Sequence, residues 1–171
     1  KGNSEIEVII NMYKLYADKF IDYLDGMFSI AIFDHNDLSF KIYRDPYGIK
    51  PLYWTTQGGS FAFSSNLSSL IKSFGCKSID LNSIQEYLFH GYCSSNTCIA
   101  SNFYKLAPSS CLIYKDNTIS VHKYDSFIDK EYQNQFDFSV SNIDSLLAKS
   151  VSDQIADEVR MGVMLSGGVD S

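Results

Sequence analysis

Three pairs of short β-forming segments, each pair joined by a turn, constrain the fold of this chain more than any other sequence feature. Within each pair, apolar and polar residues alternate, as they do in the strands of a hairpin. The turns hold Gly58-Gly59 and Asp116-Asn117, residues that accept the backbone angles of tight turns. Three hairpins predict antiparallel sheets. The paired segments are residues 27–34 with 38–45, 52–56 with 61–65, and 110–116 with 118–125.

Helical segments flank these hairpins. Ser4 has the N-cap position of a helix and Glu7 its capping-box position, and apolar residues then recur every three or four positions until Asp25-Gly26. The apolar face consists of Val8, Ile9, Met12, Leu15, Tyr16, Phe20 and Tyr23 or Leu24. The shorter predicted helices are residues 66–74 and residues 80–92, the latter capped by Asp80 or Asn82. Residues 1–125 are therefore predicted to be a layered α+β domain.

The second part of the chain has a different pattern. Residues 126–138 are polar and show no periodicity, so they are predicted to be a linker. From residue 139 a helical pattern leads into MGVML, residues 161–165, which predicts a short buried strand before two glycines. The helical face consists of Val140, Ile143, Leu147, Val151 and Ile155. Helix, strand and glycine turn predict the beginning of a parallel α/β domain over residues 139–171.

The composition argues against several classes of function. The net charge of −6 comes with no basic run, so a nucleic-acid surface is not expected, and no apolar stretch approaches the ~20 residues of a membrane span. The four cysteines and three histidines lack the spacings of a metal site. We therefore expect a cytoplasmic protein with reduced cysteines. Because the sequence begins without Met and stops inside a motif, we expect it to be a piece of a longer protein.

The last nine residues, VMLSGGVDS, indicate an anion-binding loop. Gly167 and Gly168 carry no Cβ, so several backbone N–H groups can approach an anion, and a following helix would favour the same negative charge. Ser166 and Ser171 can donate hydrogen bonds to pyrophosphate oxygens, whereas Asp170 suggests a bridging Mg²⁺. From the pattern alone, the alternative is an ordinary glycine-rich turn.

Between the first two hairpins, the stretch RDPYGIKP predicts a rigid turn. Pro46, Gly48 and Pro51 fix the direction of the backbone there. Arg44 and Asp45 begin the stretch, and taken alone they favour a structural ion pair or a hydrogen-bond anchor of the turn. A catalytic role is the alternative.

Two parts of this sequence resemble one known family. The loop S-G-G-x-D-S at residues 166–171 resembles the PP-loop of the ATP pyrophosphatases. Residues 24–71, which contain LDGMFSIAIFD, YRDPYGIKPLYW and FAFSSNLSSLI, resemble the glutamine amidotransferase domain of the glutamine-hydrolysing asparagine synthetases. Residues 80–124 continue this resemblance, and in that family a synthetase domain opening with L-S-G-G-x-D-S follows. In this chain too, the amidotransferase motifs come before the loop at residues 166–171. The resemblance covers nearly the whole chain.

The resemblance implies that residues 1–125 form an αββα sandwich of the N-terminal-nucleophile hydrolase type, with its N-terminal part missing. The first helix and strand of an α/β PP-loop domain are implied to follow. The family's nucleophile is a cysteine at the mature amino terminus, whose α-amine can act as the base. None of the four cysteines of this chain corresponds to it, so no catalytic cysteine is assigned. They are Cys76, Cys93, Cys98 and Cys111.

The resemblance also implies binding residues. Glu5 stands where the family places an aspartate against the α-amino group of glutamine, and its longer side chain moves the carboxylate by about one methylene. The alternative, equally open, is that Glu5 only complements the dipole of the first helical turn. Asp170 is the implied Mg²⁺ contact. The implied ATP-binding residues are Leu165, Ser166, Gly167, Gly168, Asp170 and Ser171.

By this resemblance, the expected activity is ATP-dependent conversion of aspartate to asparagine with glutamine as the nitrogen donor. An aspartyl-AMP intermediate would form with Mg²⁺ offsetting phosphate charge, and AMP and pyrophosphate would be released. The expected small-molecule partners are glutamine, aspartate and ATP, and the assembly could be a homodimer. These 171 residues alone are expected to be inactive. Two alternatives stay open: an amidotransferase for another carboxylate such as a sugar acid, and a non-catalytic amidotransferase-like domain.

Overall fold

The computed structural model has two units, residues 1–130 and residues 131–171, which are treated separately. The residues that the structure describes are 4–94, 96–124, 139–155 and 160–169. The predicted linker, residues 126–138, lies outside the described residues. The predicted domain boundaries therefore stay a prediction.

Two antiparallel sheets form the centre of the first unit. Their strands are β1 Ser29–Asp34, β2 Ser39–Arg44, β3 Tyr53–Gln57, β4 Ser60–Ser64, β5 Phe103–Lys105, β6 Ser110–Lys115 and β7 Thr118–Lys123. One sheet has the order β1-β2-β6-β7 and the other the order β4-β3-β5. The three predicted hairpins are confirmed, because β1 pairs with β2, β3 with β4, and β6 with β7. The sequence does not predict β5, since three residues are too few to show alternation.

The first helix begins where the sequence predicts but ends earlier. Helix α1, Glu5–Tyr16, follows Ser4, whose side-chain oxygen accepts a hydrogen bond of 3.3 Å from the N–H two residues later. The next segment is a 3₁₀-helix, Ala17–Tyr23, and its first residue has a φ of 49°. The prediction of one continuous helix is therefore wrong. The change of helix type brings Phe20 and Ile21 into the core, whereas α1 has no fully buried residue.

The other helices form close to their predicted positions. They are α2 Leu67–Phe74, α3 Leu81–His90 and, in the second unit, α4 Val140–Asp153. Asp80 rather than Asn82 caps α3, because its carboxylate accepts a hydrogen bond of 2.7 Å from the N–H of Ser83. None of the helices in the described ranges is both long and apolar enough to cross a bilayer.

Three clusters of apolar side chains join the elements of the first unit. The first, around Phe20 and Tyr43, packs α1 and the 3₁₀-helix on one face of the four-stranded sheet. The second, around Ile42, lies between the two sheets. The third, around Leu70 and Phe103, packs α2 on the other face of the three-stranded sheet. Neighbouring residues of a strand face opposite sides, which is why adjacent residues of β2 belong to different clusters.

In the second unit, the described residues do not contain the strand predicted at residues 161–165. Val163, Met164 and Leu165 are 82%, 94% and 75% exposed, and residues 160–169 have no strand pairing. A parallel strand forms its backbone hydrogen bonds only with neighbouring strands, and the described residues of this unit supply none. The prediction of a short buried strand is wrong for this reason. Residues 156–159, at the end of the last predicted helix, lie outside the described residues.

Candidate functional site

Two adjoining clefts of about 310 and 340 Å³ lie in the first unit beside the start of α1. Volumes of this size are at the lower end of the range for small-molecule sites. Both clefts are lined by Glu5, Ile9, Met27, Phe28 and Ile30. The first adds Val8, Leu24 and Asp25, and the second adds Ser29, Lys50, Pro51 and Ser65. The two together are called the Glu5 cleft below.

The N-terminus of α1 places Glu5 in this cleft. Glu5 is the first residue of the helix, and it is exposed. The helix starts there because Ser4 has extended backbone angles and caps the first turn with its side chain. A carboxylate in the first turn also interacts favourably with the helix dipole. The location of Glu5 therefore fits both interpretations, a ligand-binding group and a helix-stabilising group.

The turn between β2 and β3 builds another side of the cleft. Asp45 is fully buried, and its carboxylate accepts hydrogen bonds from the N–H groups of Tyr47, Ile49 and Lys50 at 3.2, 2.9 and 3.0 Å. Its own N–H donates to the carbonyl oxygen of Phe28 at 3.0 Å. Buried backbone N–H groups need such acceptors. Asp45 therefore fixes the path of the turn and ties it to a wall of the cleft.

Arg44 holds the same turn through carbonyl oxygens. Its Nε donates to Lys50 at 2.9 Å, its Nη2 donates to Gly48 at 2.6 Å, and its Nη1 donates to Leu106. Burial lowers the pKa of Arg44, but a guanidinium stays charged throughout the physiological range. Neither Arg44 nor Asp45 lines the Glu5 cleft. The predicted hydrogen-bond anchor is confirmed, and both of its members bind backbone atoms.

The Glu5 cleft combines opposite charges with apolar walls. Glu5 and Asp25 supply carboxylates, Lys50 an ammonium group and Ser65 a hydroxyl group. Ile9 and Phe28 contribute apolar surface. Such a lining suits a small molecule that carries both an ammonium and a carboxylate group. None of the four cysteines, which all lie within the described ranges, lines the cleft. The described residues thus provide binding groups there and no thiol nucleophile.

A second group of charged residues lies between the 3₁₀-helix and β2. Lys41 Nζ lies 2.8 Å from Asp18 Oδ1, and the Tyr43 hydroxyl donates to the same oxygen at 2.7 Å. The Tyr13 ring centre lies 5.5 Å from Lys41 Nζ. Burial alone would raise the pKa of Asp18, but the hydrogen bonds from Lys41 and Tyr43 lower it overall. Because these charged and polar groups form hydrogen bonds with one another, we interpret them as a structural anchor that holds the 3₁₀-helix on the sheet.

Replacing Lys41 with Met is expected to lower the free energy of unfolding by roughly 1 kcal/mol at neutral pH, because Asp18 loses its cationic partner. The folded-state pKa of Asp18 is lowered, so its stabilising contribution is present above its unfolded pKa of ~3.9 and is lost as the pH falls toward the folded value. Between about pH 5 and pH 2, the stability of the wild type should therefore fall more steeply than that of Lys41→Met.

Urea unfolding at several pH values measures this difference. The matched control is Lys72→Met, since Lys72 is exposed on α2 and its replacement should leave the pH dependence unchanged. An identical pH dependence in the wild type and Lys41→Met would contradict the interpretation.

The predicted ATP-binding residues lie only partly within the described residues. Leu165 is 75% exposed, Gly167 has a φ of +79°, and the N–H of Gly168 donates to Ser166 Oγ at 3.4 Å. The backbone therefore bends at the glycines. Among the described residues, no three His, Cys, Asp or Glu side chains form a group that could hold a metal ion. The predicted residues outside the described ranges are Asp170 and Ser171.

Sequence reasoning identified Glu5 but missed Lys50 and Ser65. These residues are far apart in the chain, and only the folded first unit brings them to one cleft. The available signal was the rigid turn RDPYGIKP, in which a lysine stands directly before a proline. A charged side chain on a fixed turn is a candidate for ligand binding.

Comparison with known protein families connects this site to one of them. Residues 1–125 match the family model described as a glutamine amidotransferase domain. The chain belongs to the glutamine amidotransferase family. Residues 142–171 match the model described as asparagine synthase. The two matches follow in the predicted order, so the predicted relationship to the glutamine-hydrolysing asparagine synthetases is confirmed.

Curated relatives match the chain along nearly all of its length. Glutamine-hydrolyzing asparagine synthetase 3 of Bacillus subtilis is 26% identical over 98% of this chain, and glutamine-hydrolyzing asparagine synthetase 1 of the same organism is 31% identical over 99%. Amidase chry2 of Gibberella zeae is 28% identical over 99% of this chain. The chain spans 28%, 27% and 26% of the lengths of these three relatives, respectively.

Proposed function

We propose that this chain provides the glutamine amidotransferase part of an enzyme that converts aspartate to asparagine, with glutamine as the nitrogen donor and ATP as the energy source. The observation that carries the proposal is the Glu5 cleft within a domain of this family, since it pairs a carboxylate with an ammonium group. The asparagine synthase match over residues 142–171 supports coupling to a synthetase. The two Bacillus subtilis relatives are named as synthetases of this type.

We also propose that the first unit is an incomplete αββα sandwich of the N-terminal-nucleophile hydrolase type. Three apolar clusters support this proposal, because they connect α1 to one sheet, that sheet to the other, and the second sheet to α2. The described elements thus pack in the order helix, sheet, sheet, helix. The second unit would then be the beginning of a PP-loop domain.

In the proposed reaction, the Glu5 carboxylate accepts hydrogen bonds from the α-ammonium group of glutamine. A charge-assisted contact of this kind both strengthens binding and orients the substrate. Ile9 and Phe28 line the same cleft, and they would surround the aliphatic part of glutamine. The side-chain amide would remain accessible to a nucleophile, which none of the cysteines of this chain supplies. Ammonia released from the amide would then attack the acyl carbon of an aspartyl-AMP intermediate, break its bond to the phosphate oxygen, and release AMP and asparagine.

The glycine loop of the second unit would bind ATP. Residues 166–168 and Ser171 would donate hydrogen bonds to the pyrophosphate oxygens, and the backbone of Leu165 would meet the nucleotide. Asp170 would hold Mg²⁺, because carboxylate oxygens are preferred ligands of this ion. The bound ion would offset the negative charge of the phosphates. The positive φ of Gly167 supports a sharply bent loop at this position.

Glu5→Gln is expected to raise the KM for glutamine about tenfold with little change in kcat, because the α-ammonium group loses its charged partner. Steady-state glutaminase kinetics of the full-length gene product measure this. Glu7→Gln is the matched control, since Glu7 lies in the same first turn and lines neither part of the cleft. Any change in KM caused by Glu7→Gln therefore measures only the effect of removing a negative charge from the N-terminus of the helix. Equal effects of the two substitutions on KM would count against a binding role for Glu5.

A second candidate function is amidation of a carboxylate other than aspartate, since two relatives of this chain are named amidases rather than asparagine synthetases. Amidase chry2 of Gibberella zeae and amidase chyE of Penicillium rubens are 28% and 25% identical to this chain, each over 99% of its length. Pyrophosphate release by the full-length gene product, measured with glutamine and ATP, separates the two functions. Release that requires aspartate supports asparagine synthesis. Glutamine hydrolysis without aspartate-dependent release supports another acceptor, such as a sugar acid.

A further inference from the structure

We propose that Cys93 and Cys98 form a reversible oxidation site, at which a low-molecular-weight disulfide converts the two thiols into one disulfide bond. All four cysteines of the chain are free thiols in this structure. Cys93 and Cys98 stand at the two ends of a short turn that follows α3. Neither residue lines the Glu5 cleft, so the proposal is independent of the proposed function.

Hydrogen bonds draw the two ends of this turn together. The N–H of Thr97 donates to the carbonyl oxygen of Ser94 at 3.4 Å, and such a turn brings its end Cα atoms within about 7 Å of each other. Glu86 Oε2, on α3, accepts from the N–H of Ser94 at 3.0 Å and from the Thr97 hydroxyl at 3.2 Å. Cys93 and Cys98 are the next residues outward. A disulfide needs Cα atoms at a similar separation, up to about 7 Å.

Contacts with the start of α3 hold both cysteines from the same side. Cys93 Sγ donates to the carbonyl oxygen of Ser83 at 3.7 Å, and Ser83 is buried. The carbonyl oxygen of Ile99, the residue after Cys98, accepts a hydrogen bond of 2.8 Å from the N–H of Asp80. Asp80 is the N-cap of α3 and lies one helical turn before Ser83. One turn of the helix thus positions the first thiol and the backbone beside the second.

The two thiols differ in accessibility, and this difference sets the order of the reaction. Cys98 is 6% exposed, and burial together with the nearby Cys93 thiol raises the pKa of Cys98 to about 11. Cys93 is partly exposed, so its thiolate attacks the low-molecular-weight disulfide first, forms a mixed disulfide and releases one small thiol. Cys98 then loses its proton, and its sulfur attacks the Cys93 sulfur and expels the second small thiol.

This sequence of steps balances without a further reactant. Two electrons pass from the two cysteine sulfurs to the low-molecular-weight disulfide, and the two cysteine protons end on the two released thiols. The reverse steps, with an excess of small thiol, restore both cysteines.

The test uses the full-length gene product, with glutathione disulfide as the oxidant. Free thiols are alkylated after the reaction, and the protein is digested with trypsin. Residues 78–105 form one tryptic peptide, which contains Cys93 and Cys98 as its two cysteines. Mass spectrometry is expected to find this peptide without an alkyl group and lighter by two hydrogen atoms than the reduced peptide. Dithiothreitol should restore two thiols that can be alkylated.

Two substitutions test the roles of the cysteines. Cys98→Ala is expected to stop the reaction at a mixed disulfide between Cys93 and glutathione. Cys76→Ser is the matched control, because Cys76 is an exposed cysteine outside this peptide, and it should leave the bridge unchanged. Wild-type protein that carries glutathione on Cys93 without closing the bridge overturns the proposal, and so does a peptide 78–105 that keeps two free thiols.

Glu86→Ala tests whether the folded turn brings the thiols together. In a glutathione buffer of fixed composition, it is expected to lower the ratio of bridged to reduced protein about tenfold, because one carboxylate no longer holds both ends of the turn. Gln85→Ala, at the neighbouring exposed position of α3, should leave the ratio unchanged. An equal ratio in Glu86→Ala and the wild type overturns the positioning of the two thiols by this turn.

Discussion

Asp45→Ala is expected to lower the free energy of unfolding by about 3–5 kcal/mol. The Asp45 carboxylate is fully buried and is the acceptor for three backbone N–H groups of the turn. Alanine would leave these donors without their partner and would also leave a cavity. The guanidinium of Arg44, held in the same turn, would lose the coulombic attraction of the Asp45 carboxylate, which acts to raise the pKa of Arg44. The expected result is therefore loss of the whole turn and of the cleft wall that it supports.

Urea unfolding of the 171-residue chain measures this effect, with the fluorescence of its single tryptophan as the signal. Trp54 packs against the cluster between the two sheets, so it reports on the first unit. Asp22→Ala is the matched control, because Asp22 is exposed in the 3₁₀-helix, and its loss should cost about 0.5 kcal/mol or less. Similar losses from both substitutions would refute the anchoring role of Asp45.

Gly48→Ala is expected to cost about 3–4 kcal/mol, for two reasons that add. Gly48 has a φ of +65°, a conformation that alanine adopts only with strain. A Cβ at this position would also lie 2.8 Å from Pro108 Cγ and 3.1 Å from Arg44 Cζ. The guanidinium cannot move away without losing its hydrogen bonds to the turn, including that to the Gly48 carbonyl oxygen.

Gly58→Ala separates the cost of backbone strain from the cost of steric crowding by the added Cβ. Gly58 has nearly the same backbone angle, with a φ of +60°, but a Cβ there would meet nothing within 4 Å. It should therefore show only the conformational cost of about 1–2 kcal/mol. The difference between the two variants in unfolding midpoint measures the crowding around Arg44. If both substitutions cost the same, the close packing of Gly48 against Arg44 and Pro108 would have no energetic importance.

The sequence best predicts the secondary-structure elements that form through interactions between residues close together in the chain. Each hairpin follows from alternation and from turn residues such as Gly58 and Asn117, which act before any tertiary contact forms. The first helix was harder to predict, because the spacing of its apolar residues does not reveal the change to a 3₁₀-helix at Ala17. The strand predicted at residues 161–165 was wrong, since strand formation depends on partners elsewhere in the chain.

The candidate site shows the same difference between features set by consecutive residues and features set by residues far apart in the chain. Glu5 was found through a motif of consecutive residues, and so was the anchoring pair Arg44 and Asp45. Lys50 and Ser65 belong to the cleft only because the turn and the end of β4 fold back to α1. No spacing rule connects these positions. The structure was therefore needed to place a positive and a negative side chain in one cleft.

Because Arg44 and Asp45 hold the turn through its backbone, the exposed side chains of the turn can be substituted. Among the described residues, the side chains of Arg44 and Asp45 form their hydrogen bonds to the turn with its main-chain atoms, while Tyr47 and Ile49 are 64% and 59% exposed. A combinatorial library at positions 47, 49 and 50 should therefore keep the fold of the turn, and position 50 would also vary the lining of the cleft. Substitutions at these three positions are therefore expected to change the surface of the turn with little loss of stability.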